Sequence, residues 1–291
     1  MKDVPHFTPD VAIAARNLVE LALAEDLGPA GDRTSQSVIP ADKSAVAVFI
    51  ARSGGIVAGL PVAQLVANAF PGLTFHAVVA DGVSVGPKSE IAVLSGPLRS
   101  ILVAERTALN FLQQLSGIAT LTRQYIQAIA GTSATILDTR KTTPGWRRLE
   151  KYAVRCGGGT NHRMGLFDGI LIKDNHIAGL AGSVRKAVEL ARAHPANAGL
   201  PIEIEVDSLA QLDEALAVRP DIVLLDNMPP PLLRQSVALR NSKSPQTKLE
   251  ASGGITLKTV REVAETGVDR ISVGAITHSA PALDIALDYR S

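Results

Sequence analysis

Cysteine is nearly absent from this chain. Cys156 is the only one in 291 residues, so no intrachain disulfide can form. A reducing compartment such as the cytosol is therefore expected. A lone cysteine can serve as a nucleophile, with His162 as the nearby partner in sequence, but an inert thiol is the preferred reading. Aromatic residues are scarce as well, at 3%, which leaves Ala, Val, Leu and Ile to build the core. Net charge is also lacking: 29 Lys and Arg stand against 28 Asp and Glu. That balance excludes a nucleic-acid or membrane-surface footprint spread over the whole protein, so any affinity for anions must come from local clusters of cations. No apolar run approaches the roughly 20 residues needed to cross a bilayer. Residues 1–6 lack the basic-then-apolar order of a secretion signal. A cytoplasmic globular protein is the expectation.

What is present points to one large domain with a smaller companion, since the length exceeds the usual size of a single domain. Hydrophobic residues make up 46% and charged residues 20%, an ordinary globular balance. Thr8-Pro9-Asp10 is a helix start, with the Thr8 hydroxyl expected as cap and Pro9 in the first turn. Val11, Ala15, Leu18, Val19 and Ala22 follow at helical spacing, and Gly28 can end the helix. Short apolar runs at 46–51, 73–79 and 91–94, divided by Gly and Pro, read as strands. This first part, taken as residues 1–110, reads as a small α+β domain without a catalytic cluster.

A long helical stretch follows at 101–129, with Ser116-Gly117 as a candidate bend. Strand-like runs then recur at 135–137, 169–172, 202–206, 222–225, 248–251 and 270–273. Amphipathic segments at 184–193, 209–217 and 257–266 lie between some of them. Alternation of this kind implies a parallel sheet flanked by helices, and so many units in a row favour a closed α/β barrel over residues 111–274.

The chemistry is concentrated where those strands end. The first runs into Asp138-Thr139-Arg140-Lys141 and the second into Lys173-Asp174-Asn175-His176. The third carries Glu203 and Glu205, the fourth ends in Asp226-Asn227, the fifth in Ser252-Gly253-Gly254, and the sixth in Gly274. In a parallel barrel these carboxyl ends form one mouth, where such enzymes place their active sites. Arg140, Lys141 and Lys173 would crowd it, and His162 and Arg163 would add cations from a flexible glycine-rich loop. So much like charge makes sense if a polyanion neutralises it. Strand alternation puts Glu203 and Glu205 on the inner face, where they need cationic partners or a magnesium ion shared with Asp226. Glycines after the last two strands let backbone N–H groups approach a phosphate. His176 and His278 could bind phosphate or merely cap a loop.

Longer segments carry a family likeness. The runs 104–110 (AERTALN), 138–145 (DTRKTTPG), 150–159 (EKYAVRCGGG), 161–163 (NHR), 171–176 (LIKDNH), 203–207 (EIEVD), 225–227 (LDN) and 250–255 (EASGGI), with Glu25-Asp26-Leu27-Gly28 and Gly31-Asp32 near the start, resemble quinolinate phosphoribosyltransferases. The likeness spans nearly the whole chain, in order. It implies an incomplete TIM-like barrel of six or seven parallel strands, with an N-terminal α+β open-sandwich domain that the end of the chain (275–291) rejoins through a last helix at about 280–289. It implies transfer of phosphoribosyl from phosphoribosyl pyrophosphate to quinolinate with loss of CO2, giving nicotinate mononucleotide for NAD biosynthesis, and a homodimer whose sites are shared across the interface. By position, Arg106, Arg140, His162 and Arg163 would hold the two quinolinate carboxylates, with Arg106 reaching the neighbour's site. Lys173 would lie close to ring and ribose, and Lys141 between the acid and the pyrophosphate. Glu205 and Asp226 would bind the ribose hydroxyls and Mg2+. Ser252, Gly253, Gly254, Gly274 and His278 would take the 5′-phosphate.

Two other readings fit parts of the pattern. One is a related transferase that acts on nicotinate or another acid without decarboxylation. The other is a non-catalytic metabolite-binding paralogue. Four or five cations are excessive for one carboxylate, and a mere anion binder gains nothing from Glu205 and Asp226.

Overall fold

A computed structural model of the chain describes residues 6–290; the reading of the first five residues as unlike a secretion signal lies outside the described residues. In chain order the elements are α1 (Pro9–Leu27), α2 (Arg33–Val38), β1 (Ser44–Ala51), β2 (Gly55–Ile56), α3 (Leu60–Asn68), β3 (Thr74–Ala77), β4 (Ser84–Val85), β5 (Glu90–Pro97) and α4 (Leu98–Ala128). They continue with β6 (Thr135–Leu137), α5 (Arg147–Gly157), β7 (Ile170–Ile172), α6 (Asp174–Ala178), α7 (Val184–Ala193), β8 (Ile202–Val206), α8 (Leu209–Ala217) and β9 (Ile222–Asp226). The chain closes with α9 (Pro230–Lys243), β10 (Lys248–Ser252), α10 (Val260–Ala264), β11 (Arg270–Ser272), α11 (Ala275–His278) and β12 (Ile285–Arg290). It divides into two compact units: Met1–Arg123 with Thr142–Gly158 and Ile276–Ser291, and Gln124–Lys141 with Gly159–Ala275.

The first unit is built on an antiparallel sheet in the order β12-β1-β5-β3. The end of the chain does return to this unit, but as a strand. β12 pairs with β1 from Val46↔Arg290 to Ala51↔Ile285, which corrects the helix expected at 280–289. Ile285 and Leu287 are buried, two apart, which suits a strand's two-residue period and gives a helix no stripe. α1 buries Val11, Ala15 and Val19 and ends at Gly28 as expected. Thr8 stands at its N-cap, but its hydroxyl donates to the Asp10 carboxylate rather than capping a backbone N–H. α4 runs through the expected bend without interruption. Gly117 has a different cause: a methyl group there would lie 2.1 Å from the Pro281 carbonyl oxygen.

The second unit is a fully parallel sheet in the order β6-β11-β10-β9-β8-β7. Beside β6 the chain around Thr160 adds a short parallel bridge, with the Thr160 N–H donating to the Ile136 carbonyl at 2.9 Å. Among the described residues no ladder joins this bridge to β7, so the ring of strands is left open there. Ile202, Ile204 and Val206 are buried on one face of β8, which turns Glu203 and Glu205 to the other. α7 and α8 keep the bounds read from periodicity, whereas α10 is shorter than the expected 257–266.

Candidate active site

At the carboxyl ends of β7, β8 and β9 the side chains meet as the strand pattern requires. Lys173 follows β7, and its ammonium lies 2.6 Å from Oε2 of Glu205 on β8. Asp226 ends β9 and shares with Glu205, Asp174 and Asp207 the lining of a cavity of about 260 Å3. Ser252 ends β10, and Gly253 and Gly254 follow with φ of +99° and +59°, a backbone that side-chain-bearing residues rarely adopt. Arg140 and Lys141 follow β6; Arg140 is half-buried and Lys141 exposed, with the Lys141 N–H donating to Thr139 Oγ1 at 3.0 Å. Gly274 follows β11.

His162 and Arg163 sit elsewhere, and not on a flexible loop. Buried Asp138 fixes their segment by accepting from the His162 backbone N–H at 2.8 Å and from the Asn161 amide at 2.6 Å. Both residues line a cavity of about 540 Å3, whose other walls include Ile170, Ile222, Lys248 and Arg270. These open their strands or lie at their amino ends, so His162 and Arg163 face the lower part of the sheet's inner face instead of a free rim. His162 Nε2 lies 3.1 Å from Glu203 Oε2 and 3.4 Å from Glu250 Oε1, and the second Glu250 oxygen accepts from Arg270 Nε at 2.6 Å.

The charges in this cluster follow from burial and from each other. Burial alone would lower the His162 pKa, but the hydrogen bonds and charges of Glu203 and Glu250 outweigh it and push it up to about 9. The Arg163 backbone N–H, 2.7 Å from Nδ1, favours the neutral ring and opposes that rise. Burial raises the Glu203 carboxyl, and the neighbouring Glu250 adds to the rise. Burial acts on Glu250 too, yet His162 and Arg270 overcome it and hold that carboxyl low. Arg163 is pulled down by burial and by the nearby Arg140 charge, and its Nη1 donates to the Gly169 carbonyl at 3.0 Å.

Glu250 and Arg270 were missed as members of this cluster. Glu250 and Ser252 alternate on β10 as Glu203 and Glu205 do on β8, and that two-residue period was the available signal. His162, Glu203 and Glu250 also form a compact group of potential metal donors. Arg270 on one carboxylate and a backbone N–H at Nδ1 make it a poor cation site. Hard cations prefer all-oxygen donor sets; Glu205 and Asp226 each keep one carboxylate oxygen clear of the Lys173 and Asn227 donors, which sit on Oε2 and Oδ2.

Three other residues have separate settings. His176 caps α6, its Nδ1 accepting from the Lys173 N–H at 2.9 Å. Arg106, on α4 in the first unit, lines a cavity of about 220 Å3 with Glu25, Asp26, Asn110, Phe111 and Trp146. His278 ends α11, exposed, with Nδ1 2.6 Å from Ser279 Oγ. Cys156 is buried, and burial pushes its thiol far up, which suits an inert role.

Comparison with known proteins identifies the family. Residues 32–116 match the quinolinate phosphoribosyl transferase N-terminal domain and residues 118–288 the C-terminal domain. A nicotinate-nucleotide pyrophosphorylase (carboxylating) of Mycobacterium leprae is 45% identical over 94% of this chain and 97% of its own length. A quinolinate phosphoribosyltransferase (decarboxylating) of Nicotiana tabacum is 42% identical over 94% of this chain and 81% of its own. The solved nicotinate-nucleotide pyrophosphorylase of Francisella tularensis superposes with a TM-score of 0.91 at 40% identity, covering 100% of both chains. With both domains matched in order and the strand-end groups in place, this chain belongs to the quinolinate phosphoribosyl transferase family.

Proposed function

We propose that the chain transfers phosphoribosyl from phosphoribosyl pyrophosphate to the ring nitrogen of quinolinate and releases one carboxylate as CO2, forming nicotinate mononucleotide and pyrophosphate. The observation that carries the reading is the meeting of a cation and acids at the strand ends: Lys173 lies 2.6 Å from Glu205, and Glu205 shares a cavity with Asp226. A site for a sugar between two anionic groups needs both kinds of charge.

Each group then has work in the reaction. When the ribose C1–O bond breaks, positive charge grows on the sugar and negative charge on pyrophosphate. Glu205 and Asp226 face the sugar hydroxyls and stabilise the first; Lys141 stabilises the second. Mg2+ held by Glu205 and Asp226 would supply further positive charge to the pyrophosphate oxygens. Arg140 and Arg163, near enough to repel, gain most by binding the two carboxylates of quinolinate, and His162 adds its charge to theirs. Arg106 supplies a further cation from a second subunit of a homodimer. Ser252, Gly253, Gly254 and Gly274, with His278, take the 5′-phosphate. Once the ring nitrogen is ribosylated it is cationic, the electron pair left by departing CO2 is drawn toward it, and the ring carbon then takes up one proton from water to complete nicotinate mononucleotide. Lys173 orients the ring for both steps.

The test uses carboxyl-labelled quinolinate, phosphoribosyl pyrophosphate and Mg2+. Labelled CO2 should appear in step with nicotinate mononucleotide, and nicotinate should not serve as acceptor. Turnover of nicotinate, or binding of both ligands without CO2 release, would overturn the reading. Sharing of the site is tested separately. Mixed Arg106→Ala and Lys141→Ala chains should recover activity that neither has alone, and no recovery in mixed dimers removes Arg106 from the neighbour's site.

A further inference from the structure

Asn227 is exposed, lies next to Asp226, and has no role in the reading above. Its backbone is left-handed, with φ of +53°, a conformation that costs most side-chain-bearing residues energy and that asparagine tolerates better than most. From this position its side-chain amide donates to Asp226 Oδ2 at 2.8 Å. Its backbone N–H donates to the Ser252 carbonyl at 2.9 Å, across to the next strand. Gly253 completes the contact. A methyl group there would lie 2.1 Å from Asn227 Oδ1 and 3.0 Å from its backbone N, so the glycine turn is pressed directly against the asparagine.

We infer that Asn227 is a positioning residue which fixes the Asp226 carboxylate relative to the Ser252-Gly253-Gly254 turn. The inference rests on the proposed function, in which Asp226 holds the ribose and the turn holds the 5′-phosphate. These are the two ends of one ligand fragment, so setting their separation before binding lowers the ordering cost of binding it. The β9–β10 ladder pairs Asp226 with Ser252, the Asn227 N–H extends that tie by one bond, and the Asn227 amide aims the carboxylate. A carboxylate that accepts one fixed amide donor keeps its other lone pairs directed at the ligand. Asn227 holds this place with a left-handed backbone. Strained conformations of this kind concentrate at functional sites.

Three variants separate the parts. Asn227→Gly keeps the backbone accessible and removes the amide. Asn227→Asp keeps the size but sets a second carboxylate against Asp226. Asp226→Asn, alone and combined with Asn227→Gly, tests whether the amide acts through that acid. Binding of phosphoribosyl pyrophosphate with Mg2+ and of quinolinate is measured by calorimetry, alongside thermal melting. Asn227→Gly should weaken phosphoribosyl pyrophosphate binding about tenfold, as expected for the loss of one charge-assisted hydrogen bond, with quinolinate binding unchanged. Asn227→Asp should weaken it more. In the Asp226→Asn background, Asn227→Gly should have little further effect. Unchanged binding in Asn227→Gly, equal losses for both ligands, or additive losses in the double variant would overturn the inference while leaving the proposed function standing. Failure of the unaltered protein to bind phosphoribosyl pyrophosphate at all would overturn both.

Discussion

Two buried acid sites, one in each unit, are supplied with donors in opposite ways. In the first, Asp81 accepts from the Gly59 and Leu60 backbone N–H groups at 2.8 and 3.1 Å and from the Tyr152 hydroxyl at 2.6 Å. Three donors satisfy it, it starts α3 and ties that helix to α5, and its role is complete within the fold. In the second, Glu203 and Glu250 share one imidazole, and the buried Oε1 of Glu203 has no hydrogen-bond partner. Buried oxygens left short of donors cost stability, and folds retain them where a site needs them. A satisfied acid therefore marks architecture, and an under-supplied cluster facing a cavity marks function.

Substitutions can break or sharpen that contrast. Lys141→Ala removes an exposed charge with no core volume, so turnover should fall by about 100- to 1,000-fold while the melting curve stays in place. Unchanged turnover would remove Lys141 from the chemistry. Glu250→Ala strands Arg270 and His162 beside buried Glu203, and urea unfolding should show a loss of about 3 kcal/mol. A neutral result would mean the cluster is not under electrostatic tension. Asp81→Ala should cost about 2 kcal/mol in the same assay by leaving two backbone N–H groups and the Tyr152 hydroxyl unsatisfied. Turnover per folded molecule should hold, and a selective loss of activity would erase the distinction between the units.

The last effect is in pH dependence. The folded His162 titrates near 9, against about 6.5 for an unperturbed histidine. A raised pKa contributes stability that is fully present below about pH 6.5 and fades as the pH rises through 9. Wild-type unfolding free energy should therefore decline across that window, and His162→Gln should flatten the decline. Parallel pH profiles for the two proteins would show that the glutamates do not hold the proton.

Much of this was legible in the residues because two signals are local. Strand alternation turned Glu203 and Glu205 to one face, and polar groups directly after apolar runs marked the ends at Lys173, Asp226 and Ser252. What was hidden depends on tertiary geometry. The tilt of strands in a barrel-like sheet brings His162, two residues past the Thr160 bridge, level with the first residues of β10 and β11, and no sequence period reports that offset. Glu250 needed the same alternation test as Glu203, but in the sequence it stood out only as part of the longer 250–255 run. The last strand was misread because the 280–289 segment is short, and its pairing partner β1 lies more than 200 residues earlier. Asn227 was visible as a neighbour of Asp226, but its left-handed backbone was not.

The most direct test of the central claim is a crystal structure with quinolinate bound. The two carboxylates should lie against the Arg140 and Arg163 guanidinium groups, with the ring nitrogen turned toward the Glu205 and Asp226 cavity. Quinolinate held at any other surface, with Arg140 and Arg163 making no contact to it, would contradict the account.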